Sequence, residues 1–477
     1  MHSSATTEFD GGTVRVGAAG GGILRFTPSS GPASVTLTGS GLTLETNVAS
    51  TINVALTGTG ALVKTGTGRL QLSGNNTYSG GTFIHGGSLV VSLETNLGDR
   101  MGNPGSSLTM DGGTLEVLDL TGNDVYFTER DITLQAGGGT LENGIATSAA
   151  LNGNISGVGA LTKTGSGESL LQGTNTYSGG TVVNAGLLQI PFAESLAANT
   201  PITVNGGVLD LDFSFTASRL SGTGGGLSTE AGTTFTVNQS ANTTFAGVIS
   251  GSGSVSKTGS GTLILSGSNT YSHTTVSEGT LVITGTAATT GNYSVAGQAT
   301  SAAAGDATLA GTGSIGLVMD ANVTISSTIG GHQGILYPGL DSADTRELAI
   351  GTPGNNNTLI LGSESLFRVD IGAAGLSDRV LLSGSLVIDP GVTLELLALP
   401  GAFDGSRYTL LSYSGTLTGT FTNVSGLPSS YSLDYGTGTN SAITVIPEPA
   451  SSVLVALALG ALYAVKRKRS GLCGQRQ

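Results

Sequence analysis

The chain of 477 residues predicts an all-β fold, a right-handed parallel β-helix, carrying a short C-terminal transmembrane helix. Three observations carry this expectation. Short apolar runs recur between glycine-rich clusters, three long segments repeat one another, and sixteen apolar or small residues followed by four basic ones lie near the C-terminus.

The runs come first. Leu70-Gln71-Leu72, Leu89-Val90-Val91, Ile202-Thr203-Val204 and Leu263-Ile264-Leu265 are separated by Gly, Ser and Asn clusters, the pattern of brief strands joined by tight turns. Seventy-nine glycines could instead signal disorder. Disordered chains are poor in β-branched residues and rich in charge, whereas only 10% of this chain is charged. Cys473 is the single cysteine, so no intrachain disulfide forms and strand ladders must hold the fold.

The repeats then decide the architecture. They read GTGALVKTGTGRLQLSGNNTYSGGTFIHGGSLVV from Gly58 to Val91, GVGALTKTGSGESLLQGTNTYSGGTVVNAGLLQI from Gly157 to Ile190, and GSGSVSKTGSGTLILSGSNTYSHTTVSEGTLVI from Gly251 to Ile283. Lys64, Lys163 and Lys257 hold one position, and Tyr78, Tyr177 and Tyr271 another; the third copy is one residue shorter after its Tyr. Each copy alternates strands of three or four residues with a glycine corner, and Asn75, Asn175 and Asn269 suit those corners because a short amide bonds nearby backbone or stacks between rungs. No helix is available for βαβ crossovers, so the chain must coil on itself with each strand pairing in parallel with the next turn. Copies lie 99 and 94 residues apart, so several degenerate rungs of about 20 to 25 residues separate them. Such strands are too short for a propeller or sandwich.

Charge and motif searches exclude more than they assign. Before residue 447 the chain has 13 basic and 30 acidic residues, a formal charge of −17, which would repel a phosphate backbone and argues against nucleic acid. The G-x-G-x-x-x-K-T pattern is no phosphate loop, because Val63, Thr162 and Ser256 precede the lysines where glycine is required. These lysines are expected on an exposed face, where charge discourages edge pairing. His2, His85, His273 and His332 show no metal-ligand spacing. Asp210 and Asp212 share one strand face and are a candidate carboxylate pair for glycoside chemistry, though outward placement with Leu209, Leu211 and Phe213 inward is the simpler reading. No catalytic, cofactor-binding or metal residue is assigned, and no cofactor is expected.

The K-T-G-x-G stretch followed by N-T-Y-S-G-G-T resembles the autotransporter-associated β-strand repeat of bacterial surface and secreted proteins, with the third copy departing at His273-Thr274. The stretches 307–313, 335–339, 378–384 and 408–421 resemble the rungs that follow such repeats in passenger domains. The resemblance implies a surface or secreted location but no particular activity. Autotransporters end in an outer-membrane barrel, and here the sequence stops about thirty residues after the last rung.

The ending resembles a different device. Pro447-Glu448-Pro449, the apolar stretch 450–465 and Lys466-Arg467-Lys468-Arg469 are similar to a PEP-CTERM sorting signal of Gram-negative bacteria, which implies an exosortase-type membrane protease as partner. Pro447, Glu448 and Pro449 would be the recognition residues. Sixteen helical residues span about 24 Å, short of a core of about 30 Å, and Lys466, Arg467, Lys468 and Arg469 would stop the span on the cytoplasmic side. Residues 1–30 lack the basic and apolar regions of a signal peptide, from which an upstream stretch is expected. The expected organisation is a solenoid over 1–446, a sorting signal over 447–470 and a cytoplasmic tail over 471–477. The expected function is a non-catalytic structural or adhesive protein of the bacterial envelope or exopolysaccharide matrix, anchored transiently in the inner membrane and then displayed or released. A carbohydrate-active β-helix enzyme is the alternative, disfavoured by 5% aromatics and no Trp to stack on sugars.

Overall fold

The alternating runs form strands of two to seven residues, each ended by a turn. The structure is a computed structural model that describes residues 6–9, 11–16, 34–99, 107–118, 125–145, 147–297, 305–318, 320–327, 332–339, 346–438 and 441–448. Among these, the only helical elements are two 3-10 turns, Glu94–Leu97 and Ala193–Ser195.

Consecutive strands go to different sheets. Ala55–Gly58, Leu62–Thr65 and Arg69–Leu72 lie in three separate stacks; the first pairs in parallel with Ser34–Leu37 one turn earlier, and the other two each pair in parallel with a strand one turn later. Leu42 faces Leu62, and Leu161 faces Thr181, a turn of 20 residues; near the C-terminus Thr393 faces Asn423, a turn of 30. Where one stack ends, main-chain bonds carry the ladder on, as from Thr77 N to Leu56 O at 2.7 Å and from Asn199 N to Thr216 O at 3.1 Å. A parallel bridge between Gly222 and Phe245 does the same. The result is a three-sided β-solenoid.

Strand parity builds the core. In Arg69–Leu72 and Leu187–Ile190 every second side chain is buried, and register aligns them from rung to rung into aliphatic columns. One column reads Leu44, Lys64, Ile84, Met110 and Leu134. Lys64 therefore lies inside the solenoid. So do Lys163, between Leu141 and Val183, and Lys257, between Val237 and Val276, all three at 0% exposure. This overturns the exposed placement expected from their charge. The reason is the period of two, since a lysine two residues after an inward Leu62, Leu161 or Val255 must also point inward.

Each lysine bends onto the corner that follows it. Lys64 Nζ donates to the carbonyls of Thr65 at 2.8 Å, Gly66 at 3.0 Å and Gly86 at 3.0 Å. Lys163 uses Thr164, Gly165 and Ala185, and Lys257 uses Thr258, Gly259 and Glu278. Burial lowers each ammonium to about 8, and the carbonyl dipoles act the other way by stabilising its charge. The repeated glycine after the paired strand of the next rung completes this nest. At Gly87, with φ of 61°, a Cβ would come within 2.8 Å of Lys64 Nζ and 2.4 Å of Gly68 O.

The aromatic and amide positions also point inward. Tyr78 and Tyr177 bond Thr82 and Thr181 at 2.6 and 2.7 Å, and in the shortened third copy Tyr271 meets Thr274 at 3.1 Å, three residues on instead of four. The amide position needs a correction. The residue equivalent to Asn175 and Asn269 is Asn76, not Asn75, which is exposed. Asn76, Asn175 and Asn269 accept from Leu56, Ile155 and Ile249 N at 2.8, 2.7 and 2.9 Å, each giving a main-chain nitrogen of the rung below a side-chain acceptor in place of a carbonyl.

The solenoid closes by reversing direction. Ser441–Pro447 pairs antiparallel with both Tyr408–Tyr413 and Tyr431–Asp434. Phe403, Tyr408 and Tyr431 pack together beside it, with ring centroids 5.1 to 6.3 Å apart.

Candidate functional site

Because the inward positions are committed to the core, recognition must use the outward ones. Their character changes along the molecule. The N-terminal and C-terminal rungs carry outward ion pairs: Arg15 with Glu45, Arg69 with Glu116, Arg368 with Glu395 and Arg379 with Glu347, at 2.6 to 2.8 Å.

Between them lies a face without such pairs. Register places Thr216, Thr236, Ser256, Thr275, Ser294 and Thr324 in single file over six successive rungs. Strand parity, continued one residue past the strand ends, sets Ser214, Thr234, Ser254, His273, Asn292 and Asn322 on one side of this file and Ser218, Asn238, Thr258, Ser277, Ala296 and Ser326 on the other, of which Ser277 alone is buried. Sixteen of the eighteen positions are thus Ser, Thr or Asn. With strands about 4.8 Å apart and about 3.3 Å per residue, the face measures roughly 24 by 13 Å. The middle file ranges from half-buried to exposed, and among the described residues none of its six hydroxyls has a hydrogen-bond partner in the protein. Each hydroxyl can both donate and accept, so the face is an uncharged array of both functions. A second hydroxyl file, Ser88, Thr114, Thr140, Thr162, Thr203 and Ser221, is broken by Val182 and flanked by Glu116 and Glu142.

The sequence does not mark these hydroxyls as a set. The signal is in parity combined with rung length, but Thr216 and Thr236 are 20 residues apart, Ser256 and Thr275 are 19, and Ser294 and Thr324 are 30. No fixed sequence period reveals the file.

The residues singled out from sequence fall as follows. Asp210 and Asp212 turn outward while Leu209 and Leu211 are buried; Asp210 sits within the strand Val208–Leu211 and Asp212 at the corner after it, two residues before Ser214. Burial, then the charges of Asp210 and Glu230, raise the Asp212 carboxyl. His85 and His273 are exposed, the former edge-on to Phe83 and the latter bonded to Ser272 Oγ at 2.6 Å, while His332 lies 4.0 Å from Asp306. His2 lies outside the described residues. Of the sorting motif, Pro447 ends the closing strand opposite Tyr431, one residue beyond the expected solenoid boundary, and Glu448 N donates to Ser430 O at 2.7 Å. Pro449, the apolar stretch 450–465 and Lys466, Arg467, Lys468 and Arg469 lie outside the described residues. Among those described, no helix is long and apolar enough to cross a membrane.

One buried acidic pair escapes sequence reading. Asp370 and Asp378 are both at 0% exposure in the rungs before the closing hairpin. Tyr337 donates to Asp370 at 2.8 Å, and the main-chain nitrogens of Arg346 and Asp370 donate to Asp378 at 2.7 and 3.2 Å. Burial holds the Asp378 carboxyl up at about 7 against these bonds.

Fold and site together define a parallel β-solenoid built on recurring lysine-centred rungs, with polar, flat sheet faces turned outward. Residues 62–91, 161–190 and 255–283 match the passenger-associated-transport-repeat, so the three internal copies are repeats of the autotransporter-associated kind. The chain is also 35% identical over 196 residues to an adhesin autotransporter, BmaC, of Brucella suis biovar 1 (strain 1330). That match covers 39% of this chain and 5% of the adhesin.

Proposed function

We propose that this protein is a non-catalytic, exported adhesive or structural component of a bacterial cell surface or exopolysaccharide matrix. The single observation that carries this is the neutral hydroxyl face, set on a rigid solenoid bearing passenger-associated repeats. A solenoid stacks rungs without limit, so it spaces a surface away from the cell at little folding cost. Similarity to part of an adhesin supports the reading. The coil is right-handed on this proposal, the hand that right-twisted strands impose on parallel connections.

The tail gives the sorting route. Pro447, Glu448 and Pro449 are the motif offered to an exosortase-type protease, with 450–465 as a transient inner-membrane span and Lys466 to Arg469 retained on the cytoplasmic side. Mass spectrometry of the protein from its native host tests this, because a terminal peptide continuing to Gln477 refutes processing at the motif.

Adhesion is tested with beads coated in the purified chain and passed over isolated exopolysaccharide and over host matrix. Retention well above albumin-coated beads is expected, without release of new reducing ends. Retention equal to albumin sinks the adhesive reading, and new reducing ends sink the non-catalytic one.

A further inference from the structure

Granted the adhesive reading above, we infer that the hydroxyl face centred on Thr236, Ser256 and Thr275 binds a neutral, extended polysaccharide laid along the solenoid axis. Four features of the face select this occupant.

The first is spacing. The middle file offers one hydroxyl per strand separation, close to the length of one pyranose ring in an extended glycan, so successive sugars meet successive rungs. The second is availability. These hydroxyls have no partner in the protein, and their short side chains, held on paired strands, lose little freedom when a ligand bonds to them.

Charge is the third feature. None of the eighteen positions is an Asp, Glu, Lys or Arg, whereas the corners around them carry Asp212, Glu230, Glu278 and Asp320, and the strand that leads into the first corner carries Asp210. An acidic rim on a chain of charge −17 before residue 447 repels polyanions at the approach and leaves a neutral polymer free to dock. The fourth is the absence of Phe, Tyr and Trp from the face. Without a ring to stack on, recognition runs through the hydroxyl edges of the sugars, and many weak bonds along one chain add through their shared tether.

The test is affinity electrophoresis of the full chain in gels containing hydroxyethyl cellulose, galactomannan, alginate or chitosan. A neutral gel should retard the protein more than alginate does. Thr236→Val with Ser256→Ala and Thr275→Val should lower affinity for the neutral polymer at least tenfold. Thr236→Ser with Thr275→Ser keeps the hydroxyls and should bind as the unaltered chain does, as should a control triple on the second file, Thr114→Val, Thr140→Val and Thr162→Val. Hydrogen exchange on the unaltered chain gives a readout independent of any variant's folding: bound polymer should slow exchange between residues 234 and 276. Retardation by alginate or chitosan alone, unchanged binding by the first triple, or unchanged exchange overturns the inference. Beads separate the two levels of failure. If beads carrying the first triple adhere to matrix as well as unaltered ones, adhesion stands and this face is not its seat; if unaltered beads adhere to nothing, both ideas fall.

Discussion

At the residue scale the interior lysines are the most informative side chains. A buried ammonium is costly unless its donors are satisfied, and here each finds two carbonyls in the corner that follows its own strand and a third in the corner of the next rung. Replacing Lys163 with Met removes the charge but leaves those carbonyls without a donor, so a loss of about 1–3 kcal/mol in urea unfolding is expected. A loss below the error of the measurement would mean that the nest contributes nothing. The lysines also set a pH dependence. Held near 8 in the fold against 10.5 when exposed, each binds fewer protons folded than unfolded in that window, so stability rises as pH climbs from 8 towards 9.5. Above about 10 the buried tyrosines oppose this, since Tyr78 is pushed up to about 12. Lys163→Met should show a smaller rise in urea midpoint between pH 8 and 9.5, and an unchanged rise contradicts the assignment. Asp378 works in the opposite sense. Its carboxyl is raised from 3.8 to about 7, so it stabilises the fold while protonated and that contribution is lost as pH rises through 7. Asp378→Asn should flatten the fall in unfolding midpoint between pH 4 and 7, measured against the unaltered chain.

At the element scale the rung is the unit, and its corners show what the sequence makes legible. The strands were readable because Leu70 and Leu72, or Leu263 and Leu265, alternate cleanly with polar neighbours. The corner amide was misplaced because Asn75 and Asn76 are adjacent, and only the parity shared with Tyr78 shows that Asn76 points inward. Charge misled the reading of the lysines in the same way, by overriding a parity that Leu62-Val63-Lys64 already displays. Two substitutions separate the neighbours. Asn76→Ala leaves Leu56 N and Asn96 O without the amide that joins them and should cost about 1–3 kcal/mol. Asn75→Ala, at an exposed position, should stay within about 0.5 kcal/mol. Equal effects in urea unfolding would remove the amide from its role as a rung connector. Gly87→Ala should be worse than either, because the left-handed backbone and three close neighbours both oppose a Cβ.

At the scale of the whole molecule, a parallel solenoid ends in an open strand edge that something must occupy. Rung-to-rung register over unequal turns is what the sequence hides, and with it the hydroxyl face; the closing hairpin was hidden for a related reason. Ser441–Pro447 reads like any other apolar strand, and nothing local in it marks the change from parallel to antiparallel pairing. Its effect is physical. An unpaired parallel edge is a template for another chain, and the reversed strand occupies that edge over Tyr408–Tyr413 while Tyr431–Asp434 covers the strand itself. Ending the chain after residue 440 removes the occupant and bares the ladder groups of Tyr408–Tyr413. Such a chain should keep its solenoid, since contacts in a stacked array are between neighbouring rungs, but it should associate through the new edge. Sedimentation velocity would then show concentration-dependent oligomers beside a monomer for the chain ending after residue 448, with circular dichroism unchanged between them. Monomers from both would show that the aromatic cluster of Phe403, Tyr408 and Tyr431 closes the column and that the reversed strand is dispensable for it.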